Sequence, residues 1–433
     1  MTDTTPFSMR RTRLMQQMGD GVAILATAPE QVRNRDSHFP YRFDSHFYYL
    51  TGFAEPEAVV VLLANSHRAV LFCRDKDMER EIWDGFRYGP GAAGATFHFD
   101  EAYSITELDT RLPGLLADQP TLHYALGQDT GWDARILGWL NSVREQTRSG
   151  VTAPNSLRDV RELVDEMRLF KDDAEQATMR SAAAIACAAH SRAMQATAPG
   201  RFEYEIEAEL LHHFRAQGSQ SPAYTSIVAG GANACVLHYV ENNAQLHAGD
   251  LLLIDAGCEL DGYASDITRT FPVSGSFSPV QKDIYEMVLA AQYAALDAVQ
   301  PGNHWNQPHE AALRVLVQGM IDLKLCTGSV DGVLESGDYR RFYMHRTGHW
   351  LGLDVHDAGS YKIDGDWRAL QPGMALTVEP GCYIRPADNV PEALWNIGIR
   401  IEDDVLVTAG GCEVITAAAP KTVAEIEAAM RHA

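Results

Sequence analysis

The sequence predicts a mixed α/β (α+β) protein in two domains, the second assembled from two similar halves. Three observations lead there. Residues 8–155 alternate apolar, β-prone runs with helix-period segments. A charged helix-period stretch, residues 155–171, then separates them from the remainder of the chain. Beyond it a helix, Pro-Gly, helix, strand order occurs twice, with Pro199-Gly200 and Pro301-Gly302 at matching places. A chain of 433 residues has room for two domains, and 46% hydrophobic against 22% charged residues is an ordinary balance for a folded protein. The domains are set at 1–171 and 172–433.

In the first domain, residues 21–26 read as a strand. Residues 48–53 lead into a hairpin, 58–64 with 69–72, about Asn65-Ser66. The glycine-rich stretch GPGAAGA, 89–95, lacks the spacing of a dinucleotide or phosphate loop and is expected to be a plain loop. A helix at 105–116 and a strand–helix pair within 121–148 complete the domain. No cluster of His, Asp or Glu marks a site in this half, which is expected to be structural.

The second domain opens with an Ala-rich helix, 172–197, stopped by Ala198-Pro199-Gly200, and a second helix, 204–217. A strand at 223–229 precedes GDLLLIDAGCELDGYASDITRTFPV, residues 249–273, a hairpin about Asp261-Gly262. Helices at 279–299 and 308–325 come next. β-like segments are expected at 342–351, 375–384 and 397–408.

A net charge of −22 argues against a nucleic-acid partner, since phosphate contacts need clustered Lys and Arg. Residues 1–18 lack the apolar core of a signal peptide and no run reaches membrane-spanning length, so no membrane association and a cytoplasmic location are expected. The seven cysteines, at 73, 187, 235, 258, 326, 382 and 412, have no CxxC spacing and read as reduced thiols.

Asp255 and Asp266 interrupt the two apolar arms of the 249–273 hairpin. An even-numbered loop pairs odd positions with even ones, so these two carboxylates share a face. Such a pair repels unless a cation or proton neutralises it, although two aspartates on a wet face would need no site. Their company sharpens the signal: Glu379 before Pro380-Gly381, Glu402 in an apolar alternation, and the His-rich stretch MHRTGHWLGLDVHD, 344–357. His345 and His349 have HExxH spacing, but Arg346 stands where its glutamate belongs and Gly348 disfavours a helix, which rules that motif out. Asp255, Asp266, His349, Glu379 and Glu402 can fill two adjacent metal sites, with Asp266 and Glu402 bridging. A pair roughly 3.5–4 Å apart would hold and activate a water between them. Carboxylate-rich ligation favours Mn, Co or Fe over a thiolate-rich zinc site and leaves zinc open.

These stretches resemble the pita-bread metallopeptidases, the methionine aminopeptidase, prolidase and aminopeptidase P family, in motif order and spacing. YRFDSHFYYLTGFAEPEAVVVL resembles the domain that aminopeptidase P carries ahead of its catalytic domain. The resemblance implies a pseudo-two-fold pita-bread domain with flanking helices. It also implies a homo-oligomer and hydrolysis of the bond before a penultimate proline by a metal-bridging hydroxide. It makes Asp255, Asp266, His349, Glu379 and Glu402 the ligands of two divalent ions, Mn(II) first and Zn, Co or Fe as alternatives, with Glu379 doubling as general base. His238, His345 and His356 become substrate-contacting histidines, Tyr383 and Arg400 supports of the ligands, and Trp83 and Asp36 positions near the mouth of the site. Arg346 departs from the glycine that often follows the first histidine. A prolidase, or an inactive scaffold on the same fold, are the alternatives.

Overall fold

The computed structural model describes residues 5–431; residues 1–4 and 432–433, included in the domain bounds set from the sequence, lie outside the described residues. The chain forms two compact units, Met1–Arg168 and Leu169–Ala433.

The first unit is built on a six-stranded sheet. Its strand order is Glu101–Ser104, Arg68–Cys73, Val59–Leu63, Val22–Ala26, Thr121–His123, Ser156–Arg158. The three central strands are antiparallel and the outer pairings parallel. Val59–Leu63 is buried at every position, which explains its unbroken apolar run. The hairpin about Asn65-Ser66 forms as expected. The GPGAAGA stretch does not stay a loop: Gly89–Thr96 is a helix, with Pro90 in its first turn and Ala93 fully buried. Its glycines cost helix stability, but Gly94 lets it close on Ala102, where an added Cβ would sit 3.1 Å from the alanine methyl.

In the second unit the two halves predicted by the Pro-Gly repeat are present. Helices Asp173–Ala196 and Glu203–Ala216 are matched by Pro279–Ala298 and Gln307–Asp322. Capping boxes, Asp172 with Glu175 and Ser278 with Gln281, start the leading helix of each half. Gly200 donates to the Leu246 carbonyl and Gly302 to that of Leu370, both at 2.8 Å, and both glycines hold φ near 90°, at 92° and 91°. Gly249 and Gly373, with φ of 92° and 93°, then launch the strands Leu251–Asp255 and Ala375–Val378. Leu246 and Leu370, Gly249 and Gly373, Asp255 and Glu379 thus stand at one constant offset. The repeat is one of backbone geometry more than of residue identity.

The predicted hairpin keeps one register from Leu251↔Pro272 through Asp255↔Thr268 to Leu260↔Tyr263. Its turn has positive φ at Asp261 (49°) and Gly262 (84°), the backbone that suits a two-residue hairpin loop. The expected β segment at 342–351 is corrected. It forms no strand, only a bridge at Trp350 and three backbone bonds that join 347–351 to residues 375–379. Gly348 lets this segment lie against the strand, since a Cβ there would fall 2.1 Å from the Thr377 carbonyl oxygen. The 375–384 and 397–408 segments each split into two strands. All seven cysteines are unpaired.

Gly257 lies between the two ladders of the first hairpin, where a Cβ would stand 1.6 Å from the Ser265 carbonyl oxygen. Gly257→Ala is therefore expected to cost more than about 3 kcal/mol. Gly138, on the exposed face of the helix Thr130–Arg144 with open space around it, should tolerate alanine to within about 1 kcal/mol. Urea unfolding of both variants checks this; parental stability in Gly257→Ala would contradict the close approach.

Candidate metal centre

Each of the four predicted carboxylates stands where a strand is interrupted. Asp255 ends Leu251–Asp255, and Asp266 falls between Tyr263–Ala264 and Thr268–Pro272. Glu379 separates Ala375–Val378 from Gly381–Ile384, and Glu402 separates Ile397–Arg400 from Asp403–Thr408. In the second hairpin Val378 pairs with Asp403 and Gly381 with Arg400, so Glu379 and Glu402 face each other across the break. The Glu402 amide donates to the Thr268 carbonyl at 3.0 Å, which sets the two hairpins side by side.

Donor atoms of Asp266, His349 and Glu402 lie within 4.8 Å of one another, close enough to share one divalent ion. His349 Nε2 is 3.4 Å from Asp266 and 3.8 Å from Glu379. Its Nδ1 lies 2.9 Å from the Trp350 carbonyl, a partner that can only accept, so in the neutral ring Nε2 offers its lone pair to the carboxylates' side of the pocket. Asp255 joins the cluster through the Tyr224 hydroxyl, which is 2.5 Å from Asp255 and also bonds Asp266.

Arg400 can only donate, and this orders the surrounding hydroxyls. It donates to Asp255 at 2.6 Å, to the Tyr383 hydroxyl at 3.0 Å and to Thr268 Oγ1 at 3.1 Å. Thr268 then donates to Glu402 at 2.6 Å, and Tyr383 to His345 Nε2 at 2.8 Å. His345 Nδ1 bonds the Arg346 carbonyl at 2.7 Å and lies 3.7 Å from Glu379. Behind the ligands, the Asp404 carboxyl accepts the Asp266 amide at 3.0 Å.

The electrostatics follow from burial. Desolvation pushes the Glu379 carboxyl up to about 7 against the pull of His349 and Arg400. Burial and neighbouring carboxylates raise Glu402 well above its ordinary value and raise Asp266. Burial would lower His349, but Asp266 and Glu379 outweigh it and lift the imidazole to about 9. His345 goes the other way, down to about 3, because burial and Arg400 disfavour its cation. Four carboxylates with one guanidinium and one imidazole leave an excess of negative charge, and hard oxygen donors suit divalent ions. The residues fit such a group.

His356 packs its ring 4.3 Å from that of His349, and exposed His238 is near enough for its charge to lower His356 further. The cluster thus brings together the five predicted ligands, His345, His356, Tyr383 and Arg400, with His238 near His356. Trp83 and Asp36 belong to the first unit. Trp83 is exposed on the helix Met78–Asp84, and Asp36 sits at the tip between Val32–Asn34 and Ser37–His38. Sequence reasoning missed Tyr224, Thr268 and Asp404. Only Asp404 left a signal, as the third of three consecutive acids.

Family profiles agree with this geometry: that of metallopeptidase family M24 matches residues 177–409, and that of the aminopeptidase P N-terminal domain residues 7–123. The chain belongs to metallopeptidase family M24. A Haemophilus influenzae Xaa-Pro aminopeptidase is 46% identical, over 97% of this chain and 96% of that protein. An Escherichia coli Xaa-Pro aminopeptidase is 44% identical, over 98% of this chain and 97% of that one. The structure of Pseudomonas aeruginosa aminopeptidase PepP superposes with a TM-score of 0.96 at 52% identity, covering 98% of this chain and 97% of its own. The C-terminal unit of this M24 peptidase has the pita-bread fold, preceded by the aminopeptidase P-type unit.

The raised groups carry a pH dependence. Glu379 opposes folding as pH rises from its ordinary range through about 7, and His349 stabilises below its ordinary value and loses this through about 9. Both make the metal-free protein less stable as pH rises, and a divalent ion takes the place of the protons. The melting temperature gained on adding Mn(II) to chelator-treated protein should be larger at pH 8 than at pH 5. An equal or smaller gain would contradict the site.

Proposed function

We propose that this chain is an Xaa-Pro aminopeptidase, hydrolysing the bond between an N-terminal residue and a penultimate proline. The observation that carries the reading is the cluster in which Asp266, His349 and Glu402 can share an ion, with Asp255, Glu379, His345 and His356 beside them. Near-full-length identity to Xaa-Pro aminopeptidases supports the substrate class. We assign the catalytic domain to 172–433, the N-terminal domain to 1–171, and two Mn(II) ions to Asp255, Asp266, His349, Glu379 and Glu402. When bound, the ions supply Lewis acidity to the scissile carbonyl and acidify the attacking water.

The protein's own groups do the rest. Glu379, a carboxylate facing the position of the attacking water, takes its proton and delivers it to the leaving nitrogen. His345 stays neutral and receives the Tyr383 hydroxyl proton in a hydrogen bond, so Arg400 fixes its orientation through Tyr383. His356 stands beside His349, with His238 near His356, and both are assigned to holding the scissile carbonyl and its neighbours. A proline imide has no N–H to donate, and its ring fixes the backbone, so a pocket fitted to the ring selects it. Trp83 and Asp36 are assigned to substrate capture on the resemblance of their segments. The same resemblance supports a homo-oligomer, and seven unpaired thiols favour a reducing cytoplasm. No described helix is long and apolar enough to cross a membrane.

Mn-loaded protein should release arginine from Arg-Pro-Pro, and chelator-treated protein should not. Cleavage of Arg-Pro alone would move the assignment to a dipeptidase, and cleavage of neither would overturn the enzyme. Glu379→Gln should lower kcat roughly 10²- to 10⁴-fold with an unchanged circular dichroism spectrum.

A further inference from the structure

Arg346, where the histidine stretch departs from the family pattern, takes no part in the metal chemistry. It is exposed and adjoins His345, which lies 3.7 Å from Glu379. Its guanidinium carbon is 5.1 Å from the ring centroid of Trp367 and its Nη1 donates to Asn306 at 2.5 Å. Lys362 places its ammonium 4.6 Å from the same ring and pairs with Trp367 across the hairpin Lys362–Ile363 and Asp366–Trp367. Tyr361, just before it, stacks on Trp350, the neighbour of His349, at 5.5 Å and 3°. Both cations are therefore anchored to the segment that carries the histidines.

Neither cation is paired with a carboxylate among the described residues, Asp364 and Asp366 of the hairpin and nearby Glu310 included. Asn306 also donates to Glu310 at 2.7 Å, so an acid meets Arg346 only through an amide, and the two cations share one indole on the segment beside the site. We propose that Arg346 and Lys362 form a carboxylate-binding rim that selects peptides carrying negative charge just beyond the proline. The proposal rests on the aminopeptidase reading. An extended peptide advances roughly 3.3 Å per residue, so a carboxylate on the third residue stands within side-chain reach of a neighbour of His345. It is either the free terminus of a tripeptide or an acidic side chain of a longer peptide.

The test compares Arg-Pro-Ala, Arg-Pro-Ala-amide and Arg-Pro-Asp-amide on the Mn-loaded enzyme, and their equilibrium binding by tryptophan fluorescence. The parent should prefer the free acid over the alanine amide by roughly three- to tenfold in kcat/KM and in Kd. Arg346→Met should bring both ratios close to one, with Lys362→Met intermediate. Recovery of the preference by the Asp amide assigns the rim to any carboxylate, and no recovery assigns it to the terminus. A parental ratio of one, or a ratio unchanged in Arg346→Met, overturns the rim. Failure to cleave any peptide would overturn the aminopeptidase reading instead, and the binding ratio would still decide the rim.

Discussion

Four carboxylates share one buried pocket, and their mutual repulsion is the constraint to which the C-terminal unit is fitted. Arg400 and His349 offset part of it, and divalent ions complete the balance. Protons on the raised groups offset more of it in the metal-free protein, and a divalent ion takes their place on binding, which ties the folding energy of this unit to metal.

Rigidity comes from behind the ligands. Arg269, fully buried, donates to the carbonyls of Thr268 at 3.0 Å and Glu402 at 2.5 Å, and to the Asp403 carboxylate at 2.7 Å. Asp403 also receives Lys421 and Gln292, both at 2.7 Å, and Thr416 at 2.8 Å. Despite burial, Arg269 and Lys421 hold its carboxyl below the usual range. One guanidinium thereby locks adjacent strands of two hairpins, and a ligand carboxylate projects beside each lock.

The run Glu402-Asp403-Asp404 shows how pleating sorts like residues into different tasks. Glu402 and Asp404 share one face of the chain, one among the ligands and the other on the Asp266 amide. Asp403 points the opposite way, to Arg269 and the helix Pro279–Ala298 through Gln292. Repetition of the helix–hairpin unit then presents Asp255 and Glu379 from equivalent strand ends. A repeated backbone supplies the symmetry, and the side chains at its breaks supply the chemistry.

By itself the sequence determined the two helix pairs after residue 172 with their Pro-Gly stops, the first hairpin with its Asp261-Gly262 turn, and the ligand motifs. All of these are local: a helix stop, a turn or a parity argument needs only neighbouring residues. It misjudged segments whose conformation is set by distant partners. GPGAAGA became a helix that packs closely against Ala102, and 342–351 gave up strand geometry to lie against Thr377. Tertiary structure alone decided that Tyr224 bridges Asp255 and Asp266, that Thr268 relays Arg400 to Glu402, and that Asp404 braces Asp266. Those contacts join residues 31 to 138 positions apart, and hydrogen bonds of such range leave no periodicity in the chain.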